Sequence, residues 1–344
     1  MSLMMQEILE QPQALRRTYE AEGEHAFALR EVVRQRNFRL VVLVARGTSD
    51  NAARFGRYLI ELTTGIPVSL CAPSIHTLYH ARLDLRQALV VGISQSGEGA
   101  DINLVLKAAR RQGAFLVGIT NEARSPMAGL VDEVFLVRAG KQRSLAATKT
   151  YTGQLMTLYL LATALGSRLT LSSVSEIPDQ VAETLKLEPE ILGLVGRYRY
   201  MSKAVVVARG INYANAYELA LKLMETCYVI AEPFSSADFL HGPIAMVEQG
   251  FPAILFMPPG KAFRDLKKVL NRLCGLGAET LVISSVEQGL PAATRIIRVP
   301  GSIPEVFTPI PYIVPGQILA ALLAEVKGLN PDQPRSLKMV TRTV

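Results

Sequence analysis

Residues 39–62 read RLVVLVARGTSDNAARFGRYLIEL and decide the fold. The block 40–45 is short, apolar and rich in valine, which is typical of a parallel strand buried on both faces. Residues 51–62 then carry apolar side chains at helical spacing, and Gly65 predicts where that helix ends. A buried strand that leads through a short polar turn into a helix is the building unit of a doubly wound α/β domain.

The same unit recurs in the second half of the chain. Residues 204–222 read AVVVARGINYANAYELALK, and Arg209-Gly210 ends this strand as Arg46-Gly47 ends the first one. Short apolar blocks follow both copies in the same order, at residues 88–93, 115–120 and 133–137 in the first half and at 253–257, 279–284 and 296–299 in the second. The repeat predicts two doubly wound, flavodoxin-like α/β domains with parallel sheets in tandem, each with a ligand crevice at the carboxyl ends of its strands.

The predicted organisation has five parts. They are an N-terminal helical segment (residues 1–37), a first domain (38–170), a linker helix region (171–198), a second domain (199–330) and a C-terminal tail (331–344). The longest apolar stretch, 155–165, contains Thr157 and Thr163 and is too short to cross a bilayer, so we expect a buried helix and no membrane span. A last helix is predicted at 317–327.

Composition favours a small anionic ligand over a nucleic acid. The chain of 344 residues has a net charge of +7, but its 37 basic residues are interleaved with 30 acidic ones. A modest positive field of this kind attracts small anions. The cysteines Cys71, Cys227 and Cys274 are far apart and lack metal-ligand spacing, and the N-terminus lacks the order of a secretory signal. We therefore expect reduced thiols, no metal and a cytoplasmic protein.

A phosphate-binding loop is predicted at residues 94–99, which read SQSGEG between a strand and a helix that starts near Asp101. Hydroxyls, small residues and a helix N-terminus offer a phosphate monoester N–H groups, a positive dipole end and side-chain donors. An ordinary helix cap is the alternative, since serine and glycine are common at helix starts. Gly47, Thr48 and Ser49 end the neighbouring strand, so both loops should converge on one crevice, and this favours phosphate binding.

Lys222 and Glu225 form a candidate acid–base pair, because residues three apart share one helix face. A carboxylate beside a lysine can move the proton of an aldose–ketose interconversion, although a solvated surface pair is the commoner meaning of this spacing. His241, in the stretch FLHGP, is either a turn residue or an acid/base that opens a sugar ring near neutral pH. The helix is predicted to continue to residue 233. The other histidines, His25, His76 and His80, are predicted to be structural.

Three stretches resemble the signature segments of the sugar isomerase (SIS) domain family, in the family's order. They are Gly47-Thr48-Ser49, residues 93–98 (ISQSGE) and residues 146–152 (AATKTYT). The resemblance extends over nearly the whole chain, and residues 6–12 are similar to the segment that opens the isomerase module of glucosamine-6-phosphate synthase. It implies a homodimer with the active site at the dimer interface.

The resemblance also implies a role for each candidate residue. Substrate binding is implied for Gly47, Thr48, Ser49, Ser94, Gln95, Ser96, Leu145, Ala147 and Thr148, of which Ser49, Ser94, Gln95 and Ser96 bind the phosphate and Leu145 and Ala147 line the sugar pocket. Catalysis is implied for Glu225 as the enolisation base, Lys222 as its electrostatic partner, Lys338 in the tail, and His241 as the ring-opening acid/base, contributed across the dimer interface.

Two pocket positions depart from the synthase pattern. Gly99 stands in place of a threonine that reaches the phosphate, and Ala147 in place of a serine that touches the sugar. Each lost hydrogen bond is worth about 1 kcal/mol, with Ser144 as a partial substitute, so affinity or substrate choice should change while binding persists.

The tail also departs from the pattern at one position. Residues 332–340 resemble the synthase's closing segment, which folds over the active site. The family's tail lysine aligns with Met339, and Lys338, one residue earlier, is its candidate replacement for forming an imine with the open-chain ketose.

The leading expectation is a deaminase that converts glucosamine 6-phosphate to fructose 6-phosphate and ammonia, with no metal or organic cofactor. The synthase's glutaminase domain, with its nucleophilic cysteine, is not found in this sequence. Isomerisation of another phosphosugar, or deglycation of a sugar-amine phosphate, is the alternative. A non-catalytic sugar-phosphate sensor would need only the phosphate loops, so the added presence of Lys222, Glu225 and His241 favours an enzyme. Nucleotide binding is disfavoured because neither GxGxxG nor GxxxxGK[ST] occurs in the loops.

Overall fold

The computed structural model describes residues 1–286, 288–290 and 293–337. Within this part, ten strands form two five-stranded parallel sheets. The strands are β1 (Leu40–Val44), β2 (Val68–Leu70), β3 (Ala88–Ile93), β4 (Phe115–Thr120), β5 (Glu133–Leu136), β6 (Lys203–Ala208), β7 (Ile230–Ser235), β8 (Pro252–Phe256), β9 (Glu279–Ser284) and β10 (Arg295–Arg298).

The same described ranges contain thirteen α-helices and four short 3-10 helices. The α-helices are α1 (Leu3–Leu9), α2 (Gln11–Arg36), α3 (Thr48–Thr64), α4 (Ser74–Thr77), α5 (Ala100–Arg111), α6 (Lys149–Ala164), α7 (Leu171–Val174), α8 (Ile177–Leu185), α9 (Glu188–Val195), α10 (Tyr213–Cys227), α11 (Ser236–Leu240), α12 (Phe263–Gly275) and α13 (Pro309–Val326). The 3-10 helices span Gly196–Tyr198, Gly210–Asn212, Pro243–Met246 and Glu305–Phe307.

The first sheet has the strand order β2-β1-β3-β4-β5, and every pair is parallel. Strands β3 and β4 are buried along their whole length, as their unbroken apolar sequences require of strands covered on both faces. The predicted α/β class and parallel arrangement are confirmed. The three-residue edge strand β2 was not predicted, because so short a run gives no periodic signal.

The second sheet repeats this order as β10-β9-β8-β6-β7, again with parallel pairs. Here one prediction is wrong: α10 ends at Cys227 instead of continuing to residue 233. Tyr228 ends the helix in the left-handed conformation, with φ of 53°. The chain then enters β7, which pairs with β6, so the segment is the counterpart of β2 in the repeat.

The chain divides into two compact units. The first-sheet unit contains Gln11–Gln142 and Lys149–Pro178, together with Leu337. The second-sheet unit contains Met1–Glu10, Arg143–Thr148 and Asp179–Ser336. Helix α1 and the segment Arg143–Thr148 therefore belong with the second sheet, although the sequence around them belongs with the first.

Each unit contains one long helix that is almost entirely buried. In the first-sheet unit every residue of α6 is buried, which confirms the buried helix predicted at 155–165. In the second-sheet unit α13 begins at Pro309, eight residues before the predicted start, because Pro311 and Pro315 interrupt its sequence pattern. Of the helices in the described ranges, α13 alone is long and apolar enough to cross a bilayer, and 89% of it is buried in the protein, as a core helix is.

Candidate functional site

The turn between β1 and α3 supplies the first group of candidate residues. Gly47 has φ of 55°, a conformation that favours glycine, and α3 begins at the next residue, Thr48. Ser49 is buried, and its Oγ accepts a hydrogen bond of 2.9 Å from Nε2 of Gln154 on α6. The amide of Gln154 therefore fixes the hydroxyl of Ser49, a contact that sequence spacing did not reveal.

The loop between β3 and α5 supplies the second group. Ser94 Oγ accepts the backbone N–H of Gly97 at 3.1 Å, and Ser96 Oγ accepts the N–H of Glu98 at 3.3 Å. The carbonyl of Gln95 accepts the N–H of Asn121 at 3.0 Å. These bonds hold Ser94, Gln95 and Ser96 in one compact turn.

Gly97 is the residue that this turn requires. Its φ is 63°, and a Cβ at this position would lie 2.2 Å from Ser125 Oγ. Gly99 is the N-cap of α5 and gives no side-chain cap. The N-cap residue therefore offers no side chain to the first N–H groups of α5, although the N–H of Ile102 donates to Asp101 Oδ1 at 2.8 Å. The N–H groups before Ile102 are donors of the kind that bind anions at a helix start.

Both loops lie at the carboxyl edge of the first sheet, because β1 and β3 are parallel neighbours with Val44 opposite Gly92. An ion pair joins them, in which Arg46 Nε donates to Asp101 Oδ2 at 2.7 Å. This pair was not among the functional residues predicted from sequence. The signals for it were an arginine repeated before both strand-end glycines and an aspartate in the first turn of the helix.

The predicted sugar-lining segment belongs to the second-sheet unit. Leu145 and Ala147 are partly exposed, whereas Ser144 and Thr148 are buried. Nε2 of Gln317 on α13 donates to the carbonyl of Thr148 at 3.5 Å. The structure thus groups Leu145, Ala147 and Thr148 with the unit that carries the candidate acid–base residues.

Helix α10 carries a buried charged group instead of a solvated surface pair. Lys222 Nζ lies 2.6 Å from Glu225 Oε2 and 3.5 Å from Glu218 Oε1. The side chains of Lys222 and Glu218 are fully buried, and that of Glu225 is 22% exposed. Glu225 is therefore the member of the group that a ligand can reach.

The charge on Lys222 is maintained by its two carboxylate neighbours. Burial disfavours the ammonium form, but attraction to Glu218 and then to Glu225 outweighs burial, so the pKa of Lys222 is raised above its ordinary value. A buried lysine without such partners would tend to lose its proton. The arrangement keeps a positive charge directly beside the accessible carboxylate of Glu225.

His241 follows α11 and is carried by a different element from the Lys222 group. His241 is exposed at the C-terminus of α11, where its backbone N–H donates to the carbonyl of Asp238 at 3.1 Å. In the described part of the chain, no hydrogen bond or ion pair joins its side chain to Lys222 or Glu225. Lys338 and Met339 lie outside the described residues. Among the residues that are described, no group of three His, Cys, Asp or Glu side chains is arranged to hold a metal.

The fold and these residue groups define a protein with two doubly wound α/β domains in tandem. The family model of the SIS domain matches residues 36–164 and 199–295. The chain therefore belongs to the SIS domain family.

Curated relatives extend the likeness to nearly the whole chain. It is 35% identical over 346 residues to the glutamine–fructose-6-phosphate aminotransferase (isomerizing) of Pyrococcus horikoshii, an alignment that covers 98% of this chain and 57% of the relative. The enzyme of the same name from Gloeobacter violaceus is 34% identical, with 98% and 58% covered. The chain thus spans a little over half the length of these relatives.

Solved structures show the same fold. A protein from Silicibacter pomeroyi provisionally described as a phosphosugar isomerase has a TM-score of 0.88 and 31% identity, with 96% of this chain and 100% of that chain covered. The C-terminal domain of glucosamine-fructose-6-phosphate aminotransferase from Francisella tularensis has a TM-score of 0.87 and 27% identity, with 96% and 98% covered. The glucosamine-6-phosphate deaminase of Thermotoga maritima, at 20% identity and a TM-score of 0.82 over 99% and 100% of the chains, supports the fold alone.

Proposed function

We propose that this chain is a phosphosugar isomerase that deaminates glucosamine 6-phosphate to fructose 6-phosphate and ammonia. The observation that carries the proposal is the accessible carboxylate of Glu225, 2.6 Å from the fully buried ammonium of Lys222. A surface ion pair would not require a buried lysine, whereas a proton-transfer base benefits from a fixed charge beside it. The names of the relatives, which join isomerisation to amination of fructose 6-phosphate, support a hexose phosphate that bears nitrogen.

The phosphate is held by the two loops of the first-sheet unit. Ser49, Ser94 and Ser96 supply hydroxyls, and the first N–H groups of α5 supply backbone donors and the positive end of the helix dipole. This binding does not change during the reaction, so it lowers KM and orients the sugar.

The chemistry then requires three proton transfers and one hydrolysis. His241 moves a proton from the anomeric hydroxyl to the ring oxygen, and the ring opens to the aldehyde. Glu225 removes the proton from C2 while the substrate's ammonium group gives a proton to O1 through water, and a neutral enolamine forms. The proton on Glu225 exchanges with solvent, and Glu225 then protonates C1 to give the C2 iminium. Water adds to the iminium carbon and ammonia leaves, giving the ketose phosphate. The ammonium of Lys222, 2.6 Å from Glu225 Oε2, holds the side chain of the base in place.

We infer that the active enzyme is a homodimer whose partner subunit completes the site. The exposed position of His241 supports this, because a second copy of the chain packed on that face would shield the ring-opening acid/base from water. Acid–base catalysis of this kind requires neither a metal nor an organic cofactor. We expect the enzyme in the cytoplasm, because a phosphorylated hexose is retained there by its charge.

One observation favours a second candidate, the isomerisation or deglycation of another phosphosugar. Ala147 is partly exposed in the segment proposed to line the sugar and offers no hydroxyl. A smaller, apolar wall accommodates a bulkier substituent on the sugar nitrogen or a different epimer. The same phosphate loops and the same base would serve that reaction.

The deciding experiment is an ammonia-release assay on the purified protein. Glucosamine 6-phosphate and galactosamine 6-phosphate are supplied in D2O, and fructose or tagatose 6-phosphate is detected with its deuterium content at C1. Ammonia with a deuterated ketose phosphate is the expected result. A ketose or aldose phosphate formed from another sugar without ammonia selects the second candidate. Thermal stabilisation by these sugars with neither turnover nor deuterium exchange overturns both and leaves a sugar-phosphate sensor.

A further inference from the structure

A buried carboxylate on α1 holds the segment that contains Leu145 and Ala147. Glu7 is fully buried; its Oε1 accepts the backbone N–H of Arg143 at 2.6 Å and its Oε2 accepts that of Ser144 at 3.3 Å. Arg143 and Ser144 are the two residues that immediately precede Leu145. The carboxylate therefore sets the position of the backbone from which the sugar-lining side chains project.

Helix α1 is itself fixed at its N-terminus. The carboxylate of Asp332 accepts the N–H of Leu3 at 2.7 Å and that of Met4 at 2.8 Å. A carboxylate at this end of a helix is favoured by the exposed N–H groups and by the helix dipole. One end of α1 is thus held by a residue that follows α13, while its other end holds the segment Arg143–Thr148.

Glu10, one turn further along, provides a contrast on the same segment. Its carboxylate lies 3.9 Å from the guanidinium of Arg143, and both side chains are more than two-fifths exposed. Glu10 thus contacts an exposed side chain, whereas Glu7 accepts hydrogen bonds from two backbone N–H groups. An exposed pair of this kind contributes little to stability or geometry.

We propose that Glu7 is a positioning residue for the sugar-lining segment Arg143–Thr148, with Asp332 anchoring the helix that carries it. The inference rests on the proposed function, in which Leu145 and Ala147 contact the sugar. Buried N–H groups need acceptors, and a carboxylate that accepts two of them fixes a backbone more tightly than a neutral group does. Small displacements of a positioning segment reduce rates strongly, because the reacting atoms lose alignment.

The test compares Glu7→Gln with Glu10→Gln. Glutamine retains one acceptor oxygen but turns its NH2 group toward the second N–H, so it disrupts the backbone contact with almost no change in volume. We expect Glu7→Gln to lower kcat/KM for the sugar phosphate by about tenfold to a hundredfold, with inhibition by inorganic phosphate unchanged within about twofold. Glu10→Gln should leave both quantities within about twofold of wild type.

Two further variants keep the inference testable. Glu7→Asp retains the charge and should recover part of the lost activity, which loss of folded protein would not explain. Asp332→Asn weakens the anchor of α1 and should produce the same pattern as Glu7→Gln, with a smaller effect. It also serves as the readout if Glu7→Gln does not fold.

Three outcomes overturn the inference. The first is a kcat/KM for Glu7→Gln within about twofold of wild type. The second is a loss of affinity for inorganic phosphate in Glu7→Gln as large as its loss of kcat/KM. The third is a fall in kcat/KM for Glu10→Gln as large as that for Glu7→Gln.

The proposed function fails separately if the wild-type protein binds glucosamine 6-phosphate without turnover. The dissociation constants for that sugar and for inorganic phosphate are then compared by calorimetry. A selective loss of sugar affinity in Glu7→Gln supports the positioning role, and no selective loss overturns it.

Discussion

Arg46 and Asp101 join the two loops at the carboxyl edge of the first sheet, with Arg46 Nε 2.7 Å from Asp101 Oδ2. Arg46 directly precedes Gly47, and Asp101 lies in the first turn of α5. The Asp101 side chain is 3% exposed while that of Arg46 is 55% exposed. The pair therefore fixes one loop against the other and leaves most of the arginine accessible to an anion.

Breaking this pair should weaken phosphate binding. We expect Arg46→Ala to raise KM for the sugar phosphate by about threefold to tenfold with kcat within about twofold, because the contact acts equally on substrate and transition state. Steady-state kinetics measure both constants. Arg110→Ala is the control, since Arg110 forms an exposed ion pair of 2.9 Å with Asp132 away from these loops. Equal values of KM for the two variants would contradict the role of Arg46.

Gly97 and Gly99 should differ sharply in their tolerance of a side chain. A Cβ at Gly97 would lie 2.2 Å from Ser125 Oγ at φ of 63°. A Cβ at Gly99 would lie 3.2 Å from the terminal methyl of Ile102, a tight contact that a small shift of this flexible side chain relieves, and 3.7 Å from Asp101 Oδ1. Gly97→Ala should destabilise the protein by about 1–3 kcal/mol and raise KM. Gly99→Thr should fold normally and lower KM by about threefold, because it adds a hydroxyl donor at the start of α5. Denaturant titration and kinetics test both, and a stable Gly97→Ala variant would refute the steric argument.

His25 should make stability depend on pH. Its Nδ1 lies 3.3 Å from Glu22 and its Nε2 lies 2.9 Å from Glu133. The hydrogen bond to Glu22 is the main cause that raises the pKa of His25, and burial opposes it. Because the folded value is raised, the contribution is complete below the ordinary value of about 6.5 and is lost as pH rises through the folded value.

The corresponding experiment is thermal unfolding of His25→Gln at pH 6 and pH 9. We expect the variant to be less stable than wild type by about 1 kcal/mol at pH 6, with a smaller difference at pH 9. His80→Asn is the control, since His80 is exposed and asparagine tolerates its φ of 50°. The ring of His25 also stacks on that of Phe135, with the centroids 4.5 Å apart. A difference between His25→Gln and wild type that is the same at both pH values would show that this packing, and not charge, is responsible.

The central strands could be predicted from sequence because their signal is local. Strands β3, β4 and β9 have the bounds of the apolar blocks 88–93, 115–120 and 279–284. The edge strands β5 and β10 were predicted to within one residue as the blocks 133–137 and 296–299, but the edge strands β2 and β7 were not. Strand β2 has only three residues, and β7 contains Glu232 and Pro233, which interrupt its apolar pattern.

The candidate site was predictable where its residues follow strand ends. Glycines and hydroxyls there indicated both loops. Helical spacing put Lys222 and Glu225 on one face but favoured a solvated surface pair, and the resemblance to the SIS family implied their role. The contacts that organise the site were not predictable, because they join residues far apart in sequence. Arg46 and Asp101 are 55 residues apart, and Glu7 and Arg143 are 136 residues apart. No spacing rule connects such pairs, and only the folded backbone brings them together.

Glu225→Gln separates binding from proton transfer. The substitution keeps the volume of the side chain but removes the base, and Lys222 retains Glu218 at 3.5 Å as a counter-charge. We therefore expect a folded protein whose kcat falls by about a hundredfold to ten-thousandfold and whose deuterium exchange at C1 is lost. Affinity for the sugar phosphate should stay within about tenfold of wild type, because the phosphate loops are unchanged.

Glu183→Gln is the matched control for this variant. Glu183 pairs with Lys186 at 2.7 Å across the same three-residue spacing, but both side chains are exposed. Its replacement should leave turnover and sugar-phosphate affinity unchanged. That result would show that the role of Glu225 comes from its buried lysine partner and its own partial exposure, and not from the three-residue spacing. If Glu225→Gln loses affinity as much as it loses rate, the carboxylate binds the sugar and another group must move the proton.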